Sequence, residues 1–555
     1  MPAADAAALL RRNATDPAVR DRPAIRNEDR VWSHAAFVAE AARYANLLLG
    51  SKSADRAAHV GLLLDNTPEY LFALGGAALS GSAVVGLNHT RRGEHLLRDI
   101  EHADVDLLIT EERHDSLLAP IRGQLPVPVL SVGSELEHAL QAVGIDDPGI
   151  EPGPDTLWAL IFTSGTSSAP KAVICSQRRL LVTGTRMGII MDLGPDDVGY
   201  ICMPLFHSNA LMVGWAPSIV YGASVGLAPR FSASRWLPDI RRYGSTYFNY
   251  TGKPLAYILS TPVLPDDADN TLRVAFGNEG SPEIVAEFAR RFAVDVIDAY
   301  GATEGGVAVD RDAEEREGAL GKAPPHIKVV DEEGNEKAAA AFEAEGRLVN
   351  AEDCVGEIVN TAGVGPFEGY YNNPEANAKM TRFGWYWTGD LGYLDADRYL
   401  YFAGRDADWI RVDGENFPAA PIEAEIARHP DVVQAVVYGV PDDQAGDQVM
   451  AGLVMRDGAD FDPNAFARWI DAQEGLGPKW RPRYVRVLRD PPTTGTNKIV
   501  KRTLVHQKFR ADRAAGDAVF VRERGEEEYR DFTAGDETAL RASFAQNRRE
   551  RFWDL

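Results

Sequence analysis

Apolar residues in the first half of the chain recur in short blocks, and these blocks alternate with segments of helical periodicity. Val60–Leu64 and Ser82–Leu87 are apolar runs that predict buried strands, whereas Ala36–Leu49 and Pro68–Leu79 carry apolar residues at the spacing of a helix. Because predicted strands alternate with predicted helices, the pattern indicates parallel strands in sheets that are covered by helices.

The same alternation continues further along the chain. Its predicted elements are strands at Asp106–Thr110, Val127–Val132, Tyr247–Tyr250, Leu272–Phe276 and Val294–Ile297 and helices at Ser234–Tyr243 and Pro282–Phe292. Val198–Pro229 contains no Asp, Glu, Lys or Arg, but prolines and glycines interrupt it. We therefore expect a buried strand–loop–helix–strand there and no transmembrane segment.

Past Gly404 the pattern changes to that of a compact α+β unit. Its predicted elements are helices at Pro421–Arg428 and Pro463–Gln473 and strands at Val432–Val440, Ala451–Met455 and Tyr484–Leu488. Residues beyond 510 predict a charged tail that carries scattered aromatic residues. A small second domain is therefore expected.

One loop has the composition of an anion-binding site. The apolar run Trp158–Phe162 predicts a buried strand that leads into it. The loop contains Thr163, Ser164, Gly165, Thr166 and Ser167, and it ends at Pro170 and Lys171. Its hydroxyls and backbone N–H groups can surround a polyanion, and Lys171 adds a positive charge. Pro170 stands where the common nucleotide loop needs its second glycine, and a flexible turn is an equally good interpretation of the stretch alone.

The composition is that of a globular protein with more than one domain. With 555 residues the chain is too long for one core, and 45% hydrophobic with 25% charged residues is typical of globular proteins. The net charge of −24 argues against nucleic acid or an anionic membrane as the main partner. Three scattered cysteines and the absence of a signal peptide at the N-terminus favour a reducing cytoplasm.

The loop resembles the phosphate-binding loop of the adenylate-forming superfamily, which comprises acyl-CoA synthetases, luciferases and the adenylation domains of peptide synthetases. Further matches occur in that superfamily's order, namely Tyr300-Gly301-Ala302-Thr303-Glu304, Trp387-Thr388-Gly389-Asp390, Gly404-Arg405 through Gly414-Glu415-Asn416, and Lys498. The segments Met203–Asn209 and Arg411–Asn416 most resemble the corresponding segments of the actinobacterial fatty-acyl-CoA and very-long-chain acyl-CoA synthetases.

The resemblance implies an α/β fold with two principal domains. A large N-terminal domain, residues 1–404, would consist of helix-covered parallel sheets with a β-subdomain. A small mobile α+β C-terminal domain, residues 405–510, would be followed by the charged tail, residues 511–555. In CoA-forming relatives the small domain rotates after adenylation, so Gly414 would line the tunnel for the pantetheine arm of CoA. Ala407 stands where the pivot of this rotation is often Asp or Lys.

The resemblance also assigns roles by position. The loop residues Thr163 to Ser167 and Lys171 would hold the β- and γ-phosphates of ATP. Tyr300 and Gly301 would lie at the adenine, Asp390 would accept the ribose hydroxyls, and Arg405 would contact ribose or phosphate. Gly277, Asn278 and Glu279 are expected cofactor-binding residues in a stretch that also borders the acid.

Four residues are expected to act in catalysis. Glu304 would bind Mg²⁺, and Thr303 would lie near the α-phosphate. Lys498 would stabilise charge on the α-phosphate and the attacking carboxylate, with Lys501 as the second choice. His207 would border the acid pocket, for which Trp215, Tyr247, Phe248 and Tyr250 supply aromatic side chains and Asn249 a polar group.

The predicted function is that of an AMP-forming ligase, which adenylates an organic acid with ATP and Mg²⁺ and transfers it to CoA. An alternative keeps the adenylation but uses an amine acceptor, or activates nitrite to diazotise an aryl amine, because the motifs identify ATP and not the acceptor. A peptide-synthetase module is not expected, since no carrier domain follows. Glu304, Asp390, Arg405 and Lys498 argue against a binding protein without activity.

Overall fold

A computed structural model gives the structure of this chain. It describes residues 3–51, 55–163, 170–278, 280, 282–309, 316, 318–343, 348–405, 409–412, 415–443, 447–473, 476–494, 499–510, 513–514, 516–547 and 553. The chain forms two compact units. The first contains Met1–Gly280, Ile284–Gly306 and Val364–Thr381, and the second contains Ser281–Glu283, Val307–Gly363 and Arg382–Leu555.

The first unit contains two seven-stranded sheets. Across the first sheet the strands are Asp295–Asp298, Val274–Asn278, Tyr247–Thr251, Val198–Ile201, Ser224–Leu227, Pro23–Asn27 and Arg30–Ser33. Every neighbouring pair is parallel except the last. The parallel sheet that the sequence predicts is therefore confirmed.

In the second sheet the strands are Tyr370–Tyr371, Lys171–Ser176, Leu157–Thr163, Ala83–Gly86, His59–Leu63, Leu107–Thr110 and Val129–Ser131. Five of these strands run parallel to one another. Lys171–Ser176 pairs antiparallel with Leu157–Thr163, and Tyr370–Tyr371 pairs antiparallel with Lys171–Ser176. The residues of His59–Leu63 and Ala83–Gly86 are all buried, as the apolar runs Val60–Leu64 and Ser82–Leu87 predict.

Helices surround these sheets. Those that lie wholly or mainly in the first unit are Ala6–Thr15, His34–Ser51, Pro68–Ser80, Glu94–His102, Asp115–Leu118, Ser134–Gln141, Gln177–Ile190, Ala216–Tyr221, Ala233–Tyr243, Gly252–Leu259, Pro282–Phe292 and Pro374–Met380, with a π-helix at Asn209–Trp215 and short 3₁₀ turns at Glu112–His114 and Arg122–Gln124. The helix Pro68–Ser80 ends at Gly81, whose φ of +71° suits glycine. In the described part of the chain, no helix combines the length and apolarity needed to cross a membrane.

The second unit is built mainly from antiparallel strands. One five-stranded sheet has the order Ala319–Lys322, Tyr399–Arg405, Tyr386–Leu394, Gly356–Asn360 and Ile327–Val330, and all its neighbours are antiparallel. Trp409–Val412 and Glu415–Pro418 form a two-stranded ribbon. The short helices Ala351–Cys354 and Ala420–Ala427 and a 3₁₀ turn at Arg382–Gly384 also belong to this unit.

The end of the second unit is a second five-stranded sheet with the order Val432–Pro441, Asp447–Met455, Tyr484–Val487, Ala518–Val521 and Arg530–Asp531. Its helices are Pro463–Asp471, Lys501–Gln507 and Ala534–Gln546. The segment predicted as a tail thus adds two strands and a helix. Phe520 and Trp553 are buried, and the buried Arg486 donates from Nε to Asp517 Oδ2 at 2.8 Å. The domain division at residues 404 and 510 stays a prediction.

Candidate functional site

Glu304 is a buried carboxylate of the first unit whose partner is a tyrosine hydroxyl. The strand Asp295–Asp298 leads through Tyr300 and Gly301 to Thr303 and Glu304. Glu304 is only 9% exposed, and the hydroxyl of Tyr370 donates to its Oε1 at 2.6 Å. The Nζ of Lys171 lies 5.5 Å from the centre of the Tyr370 ring. The structure therefore brings together two predicted site residues, Glu304 and Lys171, around Tyr370, which the sequence did not single out.

Thr303 is held from two sides. Its backbone carbonyl accepts a hydrogen bond from the buried guanidinium of Arg179, whose Nη1 also donates to the carbonyl of Ile174 at 3.0 Å. The Oγ1 of Thr303 and the Oγ of Ser208 are 2.7 Å apart. Arg179 therefore connects the strand Lys171–Ser176, which follows the predicted anion loop, to the Thr303–Glu304 turn.

The local sequence explains where Arg179 points. The helix Gln177–Ile190 begins at Ser176, whose Oγ accepts from the backbone N–H of Arg179 at 3.2 Å. Glu368 accepts from both the backbone N–H and the Oγ of Ser176, at 2.7 and 2.5 Å. This double contact fixes the start of the helix, and with it the first-turn residue Arg179.

Three of the four aromatic residues predicted for the acid pocket lie on the two faces of one strand, Tyr247–Thr251, and the fourth, Trp215, ends the π-helix Asn209–Trp215. Tyr247 donates from its hydroxyl to the carbonyl of Gly214 in the π-helix at 2.9 Å. Phe248 packs edge-on against Trp236 at 5.6 Å, and Tyr250 donates to Asp298 Oδ2 at 2.9 Å. All three side chains are fully buried. They therefore form the core that supports the predicted pocket.

Two amides connect this strand to the π-helix Asn209–Trp215. The Nδ2 of Asn209 donates to the carbonyl of Tyr250 at 2.8 Å, and the Nδ2 of Asn249 donates to the Oδ1 of Asn209 at 2.7 Å. Single π-helical turns are frequent at functional sites. The widened turn and its amides are thus the polar part of the region in which the sequence places the acid, and helical periodicity alone did not predict them.

Gly277 fills a position that only glycine fits. It pairs with Tyr250 across two parallel strands, and a Cβ at Gly277 would lie 2.3 Å from the Tyr250 carbonyl oxygen. Asn278 ends the strand and is half-buried. Just beyond, the backbone N–H of Gly280 donates to the Oδ2 of Asp298 at 2.9 Å. The buried Asp298 thus holds the end of this loop, a role that no motif indicated.

His207 has an apolar environment. Its ring centroid is 4.4 Å from that of Phe206, and its buried Nε2 has no hydrogen-bond partner among the described residues. Burial, with a smaller contribution from nearby His89, lowers the pKa of His207 to about 4. The imidazole is therefore neutral near pH 7, and it offers the predicted acid pocket an uncharged ring.

In the second unit, Asp390 and Arg405 are direct partners in register on two antiparallel strands. Asp390 is 7% exposed, and its backbone N–H donates to Thr388 Oγ1 at 3.0 Å. Lys501, the second choice for the catalytic lysine, forms an ion pair with Glu423 at 2.8 Å. Glu423 also accepts from the backbone N–H of Val437 at 2.7 Å, so Lys501 has a structural contact of its own.

Several predicted site residues lie outside the described residues. They are Ser164, Gly165, Thr166, Ser167, Glu279, Gly414 and Lys498, together with the predicted pivot Ala407. Thr163 ends the strand Leu157–Thr163, and Lys171 begins the strand opposite it, so the described chain defines where the predicted anion loop starts and ends.

A second group of carboxylates in the first unit was not predicted. Asp65, Glu111 and His114 place their potential ligand atoms within 4.8 Å of one another. His114 Nε2 lies 3.2 Å from Asp65 Oδ1 and 3.3 Å from Glu111 Oε1, and Arg113 forms an ion pair with Asp65. Burial opposes the charge on His114, but the two carboxylates outweigh it and raise its pKa. Arg113 and His114, whose pKa is raised, therefore lie directly against the two carboxylates.

Comparison with known proteins identifies relatives along nearly the whole chain. The sequence pattern of the AMP-binding enzyme family matches residues 10–371, and that of the AMP-binding enzyme C-terminal domain matches residues 421–498. A steroid-22-oyl-CoA synthetase of Rhodococcus jostii is 45% identical over 96% of both chains. A medium/long-chain-fatty-acid–CoA ligase of Mycobacterium tuberculosis is 46% identical over 81% of this chain and 86% of its own.

Solved structures show the same fold. The crystal structure of an anthranilate CoA ligase in complex with anthranoyl-AMP superposes with a TM-score of 0.79 and 23% identity, over 90% of this chain and 96% of that chain. At this identity the similarity concerns the fold alone. It confirms the predicted α/β architecture with a large N-terminal and a small C-terminal domain.

Proposed function

The chain belongs to the AMP-binding enzyme family, and we propose that it activates the side-chain carboxylate of a steroid acid for transfer to CoA. Its general activity is that of an AMP-forming acid–CoA ligase, with ATP, CoA and an organic acid as substrates. The named relatives are CoA ligases and synthetases, so the alternatives with an amine acceptor or nitrite are not favoured.

The observation that carries the choice of acid is the similarity to the steroid-22-oyl-CoA synthetase, which extends over 96% of both chains. A medium- or long-chain fatty acid is the second candidate, because the fatty-acid ligases are 44–46% identical over 81–86% of this chain. Both acids are large and hydrophobic. Neutral His207 supports either, since a buried cation beside an apolar acyl group would be costly.

The reaction has two steps. In the first, a carboxylate oxygen attacks the α-phosphorus of ATP, a new P–O bond forms, and pyrophosphate leaves. In the second, the thiol of CoA attacks the carbonyl of the mixed anhydride, loses its proton, and expels AMP. The protein has to hold reactants that are all anionic, although its own net charge is −24. Lys171 and Arg179 supply local positive charge on the side of the site where the predicted anion loop ends.

Glu304 suits a magnesium ion, because it is a buried carboxylate held by a neutral hydroxyl. Glu304 would hold Mg²⁺, which when bound would supply positive charge against the phosphates of ATP. The paired hydroxyls of Thr303 and Ser208, 2.7 Å apart, would then donate to the α-phosphate region. Arg179 keeps Thr303 in place through its carbonyl.

The experiment that tests the proposed acid measures pyrophosphate release from ATP with a panel of acids, each with and without CoA. The panel contains steroid side-chain acids, fatty acids of graded length, aromatic acids, and nitrite with an aryl amine. We expect the strongest turnover with a steroid side-chain acid and a thioester product only when CoA is present. Stronger turnover with a straight-chain acid would favour the second candidate, and turnover that needs an amine in place of CoA would contradict the assignment.

A further inference from the structure

We propose that Tyr370 is a positioning residue that orients two groups of the nucleotide site at once: the Glu304 carboxylate through its hydroxyl and the Lys171 ammonium through its ring. This inference rests on the proposed role of Glu304 in metal binding. It adds a residue that lies more than sixty positions away in sequence from Glu304 and outside every motif recognised in the sequence.

The contact with Glu304 is of a kind that orients a ligand. The hydroxyl of Tyr370 donates to Oε1 over 2.6 Å, a short distance typical of a hydrogen bond to a charged acceptor. Both residues are nearly inaccessible, Tyr370 at 2% and Glu304 at 9% exposure. A neutral donor restricts the carboxylate without cancelling its charge. The carboxylate is thereby oriented, and it keeps its negative charge and its other lone pairs for a divalent cation.

The contact with Lys171 involves a different part of the same side chain. The Nζ of Lys171 lies 5.5 Å from the ring centroid, within the range of a cation–π interaction. Lys171 is the last residue of the predicted anion loop and the first of the strand Lys171–Ser176. The Tyr370 ring can therefore influence where the positive charge at the loop's exit is held.

Tyr370 is itself rigidly placed, which a positioning residue requires. Its strand pairs antiparallel with Lys171–Ser176, so that Tyr370 lies opposite Val173. The side chain of Asn377 accepts from the backbone N–H of Tyr370 at 2.6 Å and donates to its carbonyl at 3.0 Å. Phe367 packs edge-on against its ring at 5.1 Å. Strand pairing, the Asn377 amide and the Phe367 ring thus hold the phenol, and none of these contacts involves the side chains of Glu304 or Lys171.

The next residue provides a matched control. Side chains alternate along a strand, so Tyr371 points to the opposite face, where its hydroxyl donates to Asp104 Oδ2 at 2.8 Å. Tyr370→Phe and Tyr371→Phe each remove one hydroxyl that donates to one carboxylate from adjacent positions. Only the first removes a contact with Glu304.

The test uses the full-length protein with Mn²⁺ and the non-hydrolysable analogue α,β-methylene-ATP, and it measures free Mn²⁺ by electron paramagnetic resonance. We expect Tyr370→Phe to raise the Kd of Mn²⁺ about tenfold, as for loss of other partners that orient a metal ligand. Tyr371→Phe should leave this Kd unchanged. Tyr370→Leu, which also removes the ring, should in addition weaken binding of the analogue without metal by about threefold.

Glu304→Gln separates this inference from the proposed function. If Glu304→Gln weakens Mn²⁺ binding but Tyr370→Phe binds Mn²⁺ as the wild type does, the positioning role of Tyr370 is wrong while the metal site stands. If Glu304→Gln also binds Mn²⁺ normally, the assignment of Glu304 fails first. A Tyr370→Phe variant that loses thermal stability without any change in Mn²⁺ Kd would show that the hydroxyl is only structural, which again overturns the inference.

Discussion

The carboxylate of Glu304 and the group formed by Asp65, Glu111 and His114, both in the first unit, differ in the partners of their carboxylates. Glu304 receives a hydrogen bond from the uncharged hydroxyl of Tyr370. Asp65 and Glu111 instead surround His114, and Arg113 contacts Asp65. A carboxylate held by a neutral donor keeps its charge for an incoming cation, whereas carboxylates matched by cations are satisfied within the protein. We therefore expect Glu304 to serve the reaction and the Asp65–Glu111–His114 group to serve stability.

The largest effect on activity is expected from a substitution of Glu304. Glu304→Gln keeps the size of the side chain but removes the charge that would hold the metal, so the rate of pyrophosphate release should fall by about a hundredfold or more. The midpoint of thermal unfolding should change little, because the amide can still accept from Tyr370. Retained activity at saturating Mg²⁺ would place the metal elsewhere.

In the group of Asp65, Glu111 and His114, a substitution should reduce stability and leave activity nearly unchanged. Asp65→Asn leaves Arg113 and His114 without their shared anion, and we expect a loss of about 2 kcal/mol in the free energy of unfolding, measured in urea. The rate of pyrophosphate release by the folded variant should stay within about twofold of the wild-type rate. Loss of a charge that acts in catalysis would reduce the rate far more. A variant that is stable but inactive would mean that this group also belongs to the reaction.

The pH dependence of stability sharpens this contrast. The pKa of His114 is raised in the folded state, because the two carboxylates outweigh burial. Its stabilising contribution is therefore complete below the unfolded pKa of about 6.5 and is lost as pH rises through the folded value. The stability difference between the wild type and His114→Gln, measured in urea, should be larger at pH 6 than at pH 8.5. An equal difference at both pH values would contradict a charged His114.

The smallest effect concerns His207. Burial lowers its pKa to about 4, so it stays neutral between pH 6 and 8. His207→Asn should alter the KM for the acid more than the shape of the pH–rate profile in that range. If the wild-type profile contains an inflection near pH 6.5 that His207→Asn removes, the imidazole titrates in that range, which would contradict a lowered pKa for His207.

The sequence predicted the elements that depend on local periodicity. The helix Pro282–Phe292 has the predicted bounds, and the strands predicted with bounds in the two seven-stranded sheets lie within a few residues of their predicted positions. Pro23–Asn27, Arg30–Ser33 and Tyr370–Tyr371 were not predicted as strands. The strand Lys171–Ser176 was missed because it follows the anion loop directly, and its pairing with Leu157–Thr163 is set by tertiary contacts. The π-helix Asn209–Trp215 was missed because its wider turn has no apolar period of its own.

In the candidate site, too, the sequence predicted the residues of local motifs and missed those whose contacts depend on the tertiary fold. Thr303 and Glu304 follow a strand and a tight turn, a context that the motif itself supplies, and the structure brings Glu304 near Lys171 through Tyr370. Tyr370 and Arg179 were not predicted, because their partners lie far away in sequence. Glu368 likewise acts on a helix start nearly two hundred positions earlier. Such contacts arise from the fold, and no spacing in the sequence encodes them.

The most direct test of the assigned chemistry follows the oxygen atoms of the acid. The acid that turns over fastest is labelled with ¹⁸O in its carboxylate and is converted with ATP and CoA, and the products are analysed by mass spectrometry. Attack of the carboxylate on the α-phosphorus predicts one ¹⁸O atom in AMP and none in pyrophosphate. Label in inorganic phosphate, or AMP without label, would mean that no acyl-adenylate forms and would contradict the account.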